Sequence, residues 1–92
     1  MIPLDARPKL APKVRLRVDR KSGKTLLLYP EKGLALNATA AEVCELCTGE
    51  IAVREMIERL AARHGSSDAI EREVRGFLED LAERNLLRGL EP

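Results

Sequence analysis

Two cysteines three positions apart, Cys44 and Cys47, are the residues whose type and spacing most suggest chemistry. On a helix they stand about one turn apart and could share a soft metal ion. A structural zinc site needs four ligands, however, and His64 is the only other soft donor in the chain. A dithiol redox site places its CxxC at a helix N-terminus, where the dipole lowers the thiol pKa. This pair falls at the C-terminal end of its helix, where the dipole opposes a thiolate. Cys47 also lies on an apolar stripe, and cysteine is a common small core residue. Core packing is therefore the expectation, with no metal and no cofactor. His64, next to Gly65, is placed to act as a cation at a helix C-terminus. No nucleophile motif, glycine-rich phosphate loop or carboxylate cluster accompanies it, so the chain is read as having no catalytic residues and not being an enzyme.

Charge is distributed unevenly. Residues 1–37 carry nine Lys or Arg against three Asp or Glu, and residues 38–92 carry seven Arg against twelve acids. The halves therefore balance at +6 and −5, which sum to the net +1. Nucleic acid is a poor fit to this arrangement. A recognition helix needs Arg, Lys, Asn or Gln toward the groove. The last helix instead offers Glu71, Glu73, Glu79, Asp80 and Glu83 against Arg72, Arg75 and Arg84, and the chain has no Gln. Arg15, Arg17, Arg20, Lys21 and Lys24 form a basic hairpin that could touch a phosphate backbone as a wing, so a winged-helix DNA-binding protein is the alternative reading.

The elements that hold these residues follow from periodicity. Pro3, Pro8 and Pro12 make residues 1–13 an extended N-terminal arm, leaving 14–92 as one domain. Val14, Leu16 and Val18 alternate with Arg15, Arg17 and Asp19, the period of a half-buried strand. Arg20 to Lys24 is a turn, Thr25 to Tyr29 the returning strand, and Pro30 its end. Glu31-Lys32-Gly33 turns the chain into a short third strand, Leu34-Ala35-Leu36. The pattern then becomes helical. Thr39 and Glu42 have the spacing of a capping box, Ala40, Val43, Leu46 and Cys47 form a stripe, and Gly49 stops the helix. A second helix carries Val53, Met56, Ile57, Leu60 and Ala61 to Gly65. Ser66, Ser67 and Asp68 offer caps for a third, with Ile70, Val74, Phe77, Leu78 and Leu81 on one face and Asn85 as a left-handed end. Leu86, Leu87 and Leu90 fold back on the core. The expected fold class is α+β, winged helix-turn-helix-like, a three-stranded antiparallel sheet followed by three helices.

Ninety-two residues suffice for one small domain. Only 2% are aromatic, which weakens any function built on base stacking. No apolar run is long enough for a membrane span, the start lacks a signal-peptide pattern, and two cysteines make no disulfide scaffold. A cytoplasmic protein with no membrane partner is the expectation. The third strand leaves an open edge beside a helix. Such an edge either accepts an extended peptide as an added strand or is blunted by the chain's own arm or tail, and the residues alone do not choose. An open edge and a loosely anchored arm also predict a homodimer by strand exchange.

Leu10-Ala11-Pro12, Val14-Arg15-Leu16, Leu27-Leu28-Tyr29-Pro30-Glu31, Leu36-Asn37, Glu45-Leu46-Cys47-Thr48-Gly49, and Phe77-Leu78 through Leu86-Leu87 resemble the PqqD family in order and spacing. The resemblance spans Pro8 to Leu87. It implies a peptide chaperone of pyrroloquinoline quinone biosynthesis, binding the ribosomal precursor PqqA and presenting it to the radical-SAM enzyme PqqE. It further implies that the leader segment adds as a strand between the third strand and the last helix. Mapped onto this chain, that site comprises Leu34, Ala35, Leu36, Val74, Arg75, Phe77 and Leu78. Ala52, Asn85 and Cys44 depart from the family pattern, where Thr, Gly and an aliphatic residue are usual, and none of the three is a proposed binding group.

Overall fold

Alternating apolar and polar residues build the sheet. The computed structural model describes residues 2–29, 32–65 and 67–91. After a short strand β1 (Lys9–Leu10), strands β2 (Arg15–Val18), β3 (Thr25–Tyr29) and β4 (Lys32–Leu36) pair antiparallel in the order β2-β3-β4. The register aligns Leu16, Leu27 and Leu34 across the three strands. Leu27 is fully buried, so this row faces the core, and Arg15, Arg17, Leu26 and Leu28 lie on the outer face. Val18, expected on the buried face, is 60% exposed at the end of β2. Lys32 and Gly33, expected in a turn, belong to β4, which is two residues longer at its start than the sequence reading. Pro30 and Glu31 lie outside the described residues.

Three helices follow: α1 (Ala38–Leu46), α2 (Val53–His64) and α3 (Ser67–Glu83). Val43, Val53, Met56, Leu60, Val74, Leu78 and Leu81 join Leu27 in one core. The expected α+β, winged helix-turn-helix-like arrangement is thus present, with a β1–β5 ribbon (β5, Leu87–Arg88) added. The predicted capping box is not the helix start. Asn37 caps α1, its Oδ1 accepting the Ala40 N–H at 2.8 Å, and Thr39 lies inside the helix. An Asx side chain one residue before the helix satisfies the Ala40 amide and starts the helix two residues before the Thr39 box would. Asn37→Ala is therefore expected to cost about 1 kcal/mol in urea unfolding, and Thr39→Ala only a few tenths. Asn85 takes the left-handed conformation with φ 61°, and Leu86 N–H reaches back to Leu81 O at 2.9 Å, closing α3. Ser66 lies outside the described residues.

The arm expected over residues 1–13 is not a loose extension. Ile2, Ala6 and Ala11 are buried, and Lys9–Leu10 pairs with Leu87–Arg88. The arm also completes helix α2. Ala52 offers no capping side chain, and the orphan amides of Val53 and Arg54 donate to Ala6 O at 2.9 Å and Leu4 O at 3.0 Å. Gly49 N–H donates to Pro8 O at 2.9 Å and Leu10 N–H to Cys47 O at 3.2 Å, fastening the end of α1 as well. Of the prolines that suggested an arm, Pro3 and Pro12 stand at turns, closed by Ala6 N–H to Pro3 O at 3.1 Å and Val14 N–H to Ala11 O at 3.0 Å, and the backbone carbonyls between them are the arm's anchors.

Candidate peptide-binding site

Strand β4 is an edge of the sheet, and the direction of its free groups follows from the ladder. Asp19 N–H donates to Lys24 O at 2.8 Å, so Asp19 and Lys24 are a hydrogen-bonded pair at the head of the β2–β3 hairpin. Backbone groups point alternately left and right along an antiparallel strand. Counting along the register, Leu26 and Leu28 therefore bond toward β2, and Thr25, Leu27 and Tyr29 bond toward β4. Their partners Leu36, Leu34 and Lys32 are bonded inward. Gly33 and Ala35 are left with N–H and C=O pointing away from the sheet. Both residues are exposed, and no backbone bond from elsewhere in the described chain covers them.

Helix α3 divides the predicted site residues between two flanks. At ~100° per residue, Val74 and Leu78 form the inward face, and both are fully buried in the core. They support a site from beneath and offer no surface. Phe77 is half-buried on one flank. That flank continues to Arg84, just past the helix, whose Nη1 donates to Tyr29 Oη at 3.3 Å and so marks the side turned to the sheet. Arg75 is on the opposite flank. Its Nη1 donates to Ile2 O at 3.2 Å and its Nε to Glu71 at 3.3 Å, so it holds the arm. Of the residues expected at the site, Leu34, Ala35 and Phe77 have accessible surface, Leu36 is core at 6% exposure, and Arg75 is elsewhere. Gly33 and Arg84 are accessible residues the sequence reading missed. Gly33 was assigned to a turn; Arg84 stands seven residues after Phe77, a spacing that places both on one side of a helix.

The other reactive groups have structural surroundings. Burial pushes both thiols up to about 12 from an ordinary 9.0, with the Glu45 charge adding to Cys44. A thiol this far from ionisation is a poor nucleophile at neutral pH. The raised values fix a pH dependence. Between pH 9 and pH 12 the unfolded chain loses thiol protons that the folded chain keeps, so stability falls as pH rises. The expected slope is about 1.4 kcal/mol per pH unit for each thiol, flattened in Cys44→Ala/Cys47→Ala when urea midpoints are compared over that range. His64 joins α2 to α1 through Nε2, 3.2 Å from Glu42 Oε2, and Arg63 reaches Glu42 Oε1 at 3.5 Å. Among the described residues no group of three or more His, Cys, Asp or Glu is gathered, and no helix is long and apolar enough to cross a membrane.

Residues 24–87, from the returning strand to β5, match the model of a family described as Coenzyme PQQ synthesis protein D (PqqD). This chain belongs to the PqqD family. A PqqA binding protein of Rhodopseudomonas palustris is 37% identical over 82 residues, covering 88% of this chain and 80% of the relative. One from Methylococcus capsulatus is 31% identical over 80 residues, covering 87% and 85%. The solution structure of the PqqD part of Methylobacterium extorquens PqqCD, described as a stand-alone recognition element for ribosomally synthesised, modified peptides, superimposes with a TM-score of 0.76 at 30% identity, covering 88% of this chain and 87% of that one. The same fold recurs in TbiB1, solved with the TbiA(beta) leader peptide, with a TM-score of 0.74 at 22% identity and coverage of 91% and 99%. The α+β arrangement of this chain is therefore that of PqqD-family recognition elements.

Proposed function

We propose that this chain is a non-enzymatic adaptor of pyrroloquinoline quinone biosynthesis that binds the precursor peptide PqqA and hands it to the radical-SAM enzyme PqqE in the cytoplasm. The observation that carries this reading is the free β4 edge, where Gly33 and Ala35 offer donors and acceptors to an extended chain. Leu34 and Phe77 supply partly exposed apolar surface for the side chains such a strand turns inward. Val74, Leu78 and Leu36 hold that surface from below. Lys32 and Arg84 add positive charge at one end, suited to an acidic leader residue. Family membership supports the same reading, as do relatives named for binding PqqA.

A second copy of the chain, if it exchanges strands, competes for this edge, because the arm is already hydrogen-bonded within its own molecule. Calorimetric titration of PqqA across a salt series tests the reading. Binding that changes little with salt is expected from strand addition beside an apolar surface. No binding of PqqA, or steeply salt-dependent binding of duplex DNA in its place, would support the phosphate-binding wing and overturn the adaptor.

A further inference from the structure

The outer face of the sheet is assigned no role by the peptide site, yet it is not an ordinary solvated face. Its cross-strand rows run Arg15–Leu28–Gly33 and Arg17–Leu26–Ala35. Two leucines occupy its centre, and the helices pack on the other side, around Leu27. Leu26 and Leu28 line an open hollow of about 570 Å³ together with Arg17, Arg20 and Lys21. The only acid among the described residues lining it, Asp19, is engaged by the Ser22 hydroxyl at 2.9 Å and the Lys21 amide at 3.2 Å, which hold its carboxyl below the usual range. An apolar centre with arginines around it has the composition of a protein interface core and rim. A phosphate backbone has no use for the leucines.

The rows end on the two smallest side chains available, and they end at the free edge. A Cβ on Gly33 would lie 3.2 Å from Leu28 Cδ2, so Leu28 leans across the strand toward the open side. Ala35 stands opposite Leu26 in the register and carries only a methyl group. A peptide strand added to β4 would continue both rows, because alternate side chains of any added strand point to this face. Leu26 and Leu28, on β3, would then stand two strand spacings, ~9.6 Å, from the peptide backbone, so they border its outward side chains on one surface and do not hold the peptide.

We propose that this outer face, extended by the outward side chains of the bound peptide, is the docking surface for the enzyme that modifies the peptide, and that it fits an apolar patch with an acidic rim. The inference rests on the adaptor reading above. It makes the loaded adaptor a better partner than the empty one, since one strand of the surface belongs to the peptide. By linkage the enzyme must then tighten peptide binding by the same factor. A second copy of this chain is a poor occupant, because face-to-face contact would oppose Arg15 and Arg17 to themselves.

The test uses full-length chain, PqqA and PqqE. Labelled PqqA is titrated with parent, Arg15→Glu/Arg17→Glu and Leu28→Ser, and each variant, empty and loaded, is then titrated with PqqE. The parent is expected to bind PqqE at least fivefold more tightly when loaded. Both variants are expected to keep PqqA affinity within threefold and to lose PqqE affinity in the loaded state by tenfold or more. The charge-reversed pair is exposed and guards against misfolding of Leu28→Ser. Equal PqqE affinity of empty and loaded parent overturns the composite surface. Unchanged PqqE binding by both variants, or loss by them of salt-sensitive duplex binding alone, overturns the docking face. Parent chain that binds no PqqA overturns the adaptor reading itself, and is recognised at the first titration.

Discussion

Ala35→Pro is expected to leave the domain folded and to weaken PqqA binding by more than tenfold. The Ala35 amide points to the open side of β4, so its loss removes no bond within the sheet. Proline is tolerated at such a position on an edge strand, and the extended backbone it demands of Leu34 is already present. An incoming strand meets a missing donor and a ring where its own carbonyl would sit. One lost hydrogen bond is worth about 1 kcal/mol, and the steric exclusion adds to it. Leu34→Pro is the informative contrast. That amide bonds inward to Leu27, so the same change one residue earlier should break the sheet and unfold the chain. Arg75→Glu should disturb the arm and leave PqqA affinity near the parent value, because Arg75 is committed to Ile2 O and Glu71. Circular dichroism with a binding titration of each variant checks the set. Parent-like affinity in folded Ala35→Pro would remove β4 as the site.

Removing residues 1–8 is expected to have the largest effect on stability. The deletion exposes core around Ile2 and Ala6 and leaves the Val53, Arg54 and Gly49 amides without their acceptors. A buried aliphatic side chain contributes about 1.5–3 kcal/mol and each hydrogen bond about 1 kcal/mol. The loss is on the order of 5 kcal/mol, comparable with the whole stability of a small domain. The truncated chain should therefore be largely unfolded at 25 °C. Gly89→Ala probes the same fastening without a deletion. Gly89 has φ 71°, and a Cβ there would lie 2.6 Å from Arg7 O, so the arm must shift or detach. A drop of at least 1 kcal/mol is expected in urea unfolding. A truncated chain with parental midpoint would show that the arm contributes nothing to the fold.

Local pattern made the sheet and the three helices legible. The alternation from Val14 to Arg17 and the helical stripe from Val53 to Ala61 each report a one-sided burial that survives in the folded chain, and Val18 is where the strand pattern fails. Asn85 was readable as a helix end because few other residues tolerate its backbone geometry. What stayed hidden depends on contacts between distant segments. Pro8 leads into extended backbone while Pro3 opens a turn, and nothing local says that Leu4 O and Ala6 O will cap a helix almost fifty residues later. The uncapped Ala52 was the available clue: a helix start without a capping side chain needs an acceptor from somewhere else. Thr39 and Glu42 misled because Asn37, two residues earlier, caps the Ala40 amide and starts the helix first, which leaves Thr39 inside it. At the candidate site, the edge strand and Phe77 could be found from the sequence with the family resemblance. The sequence did not separate the two flanks of α3. Arg75 and Arg84 look equivalent on a charged helix until Ile2 and Tyr29 show which side each one faces.

Addition of PqqA as a strand to β4 is read residue by residue in amide exchange, followed by NMR on isotopically labelled chain. With saturating PqqA, the Gly33 and Ala35 amides should become protected by tenfold or more, with shifts at Leu34 and Phe77 and little change at Arg15 or Arg17. Leu34 and Leu36 amides, already bonded to β3, should gain far less. Protection confined to the β2–β3 hairpin, with Gly33 and Ala35 exchanging as fast as in the free chain, would contradict strand addition at this edge.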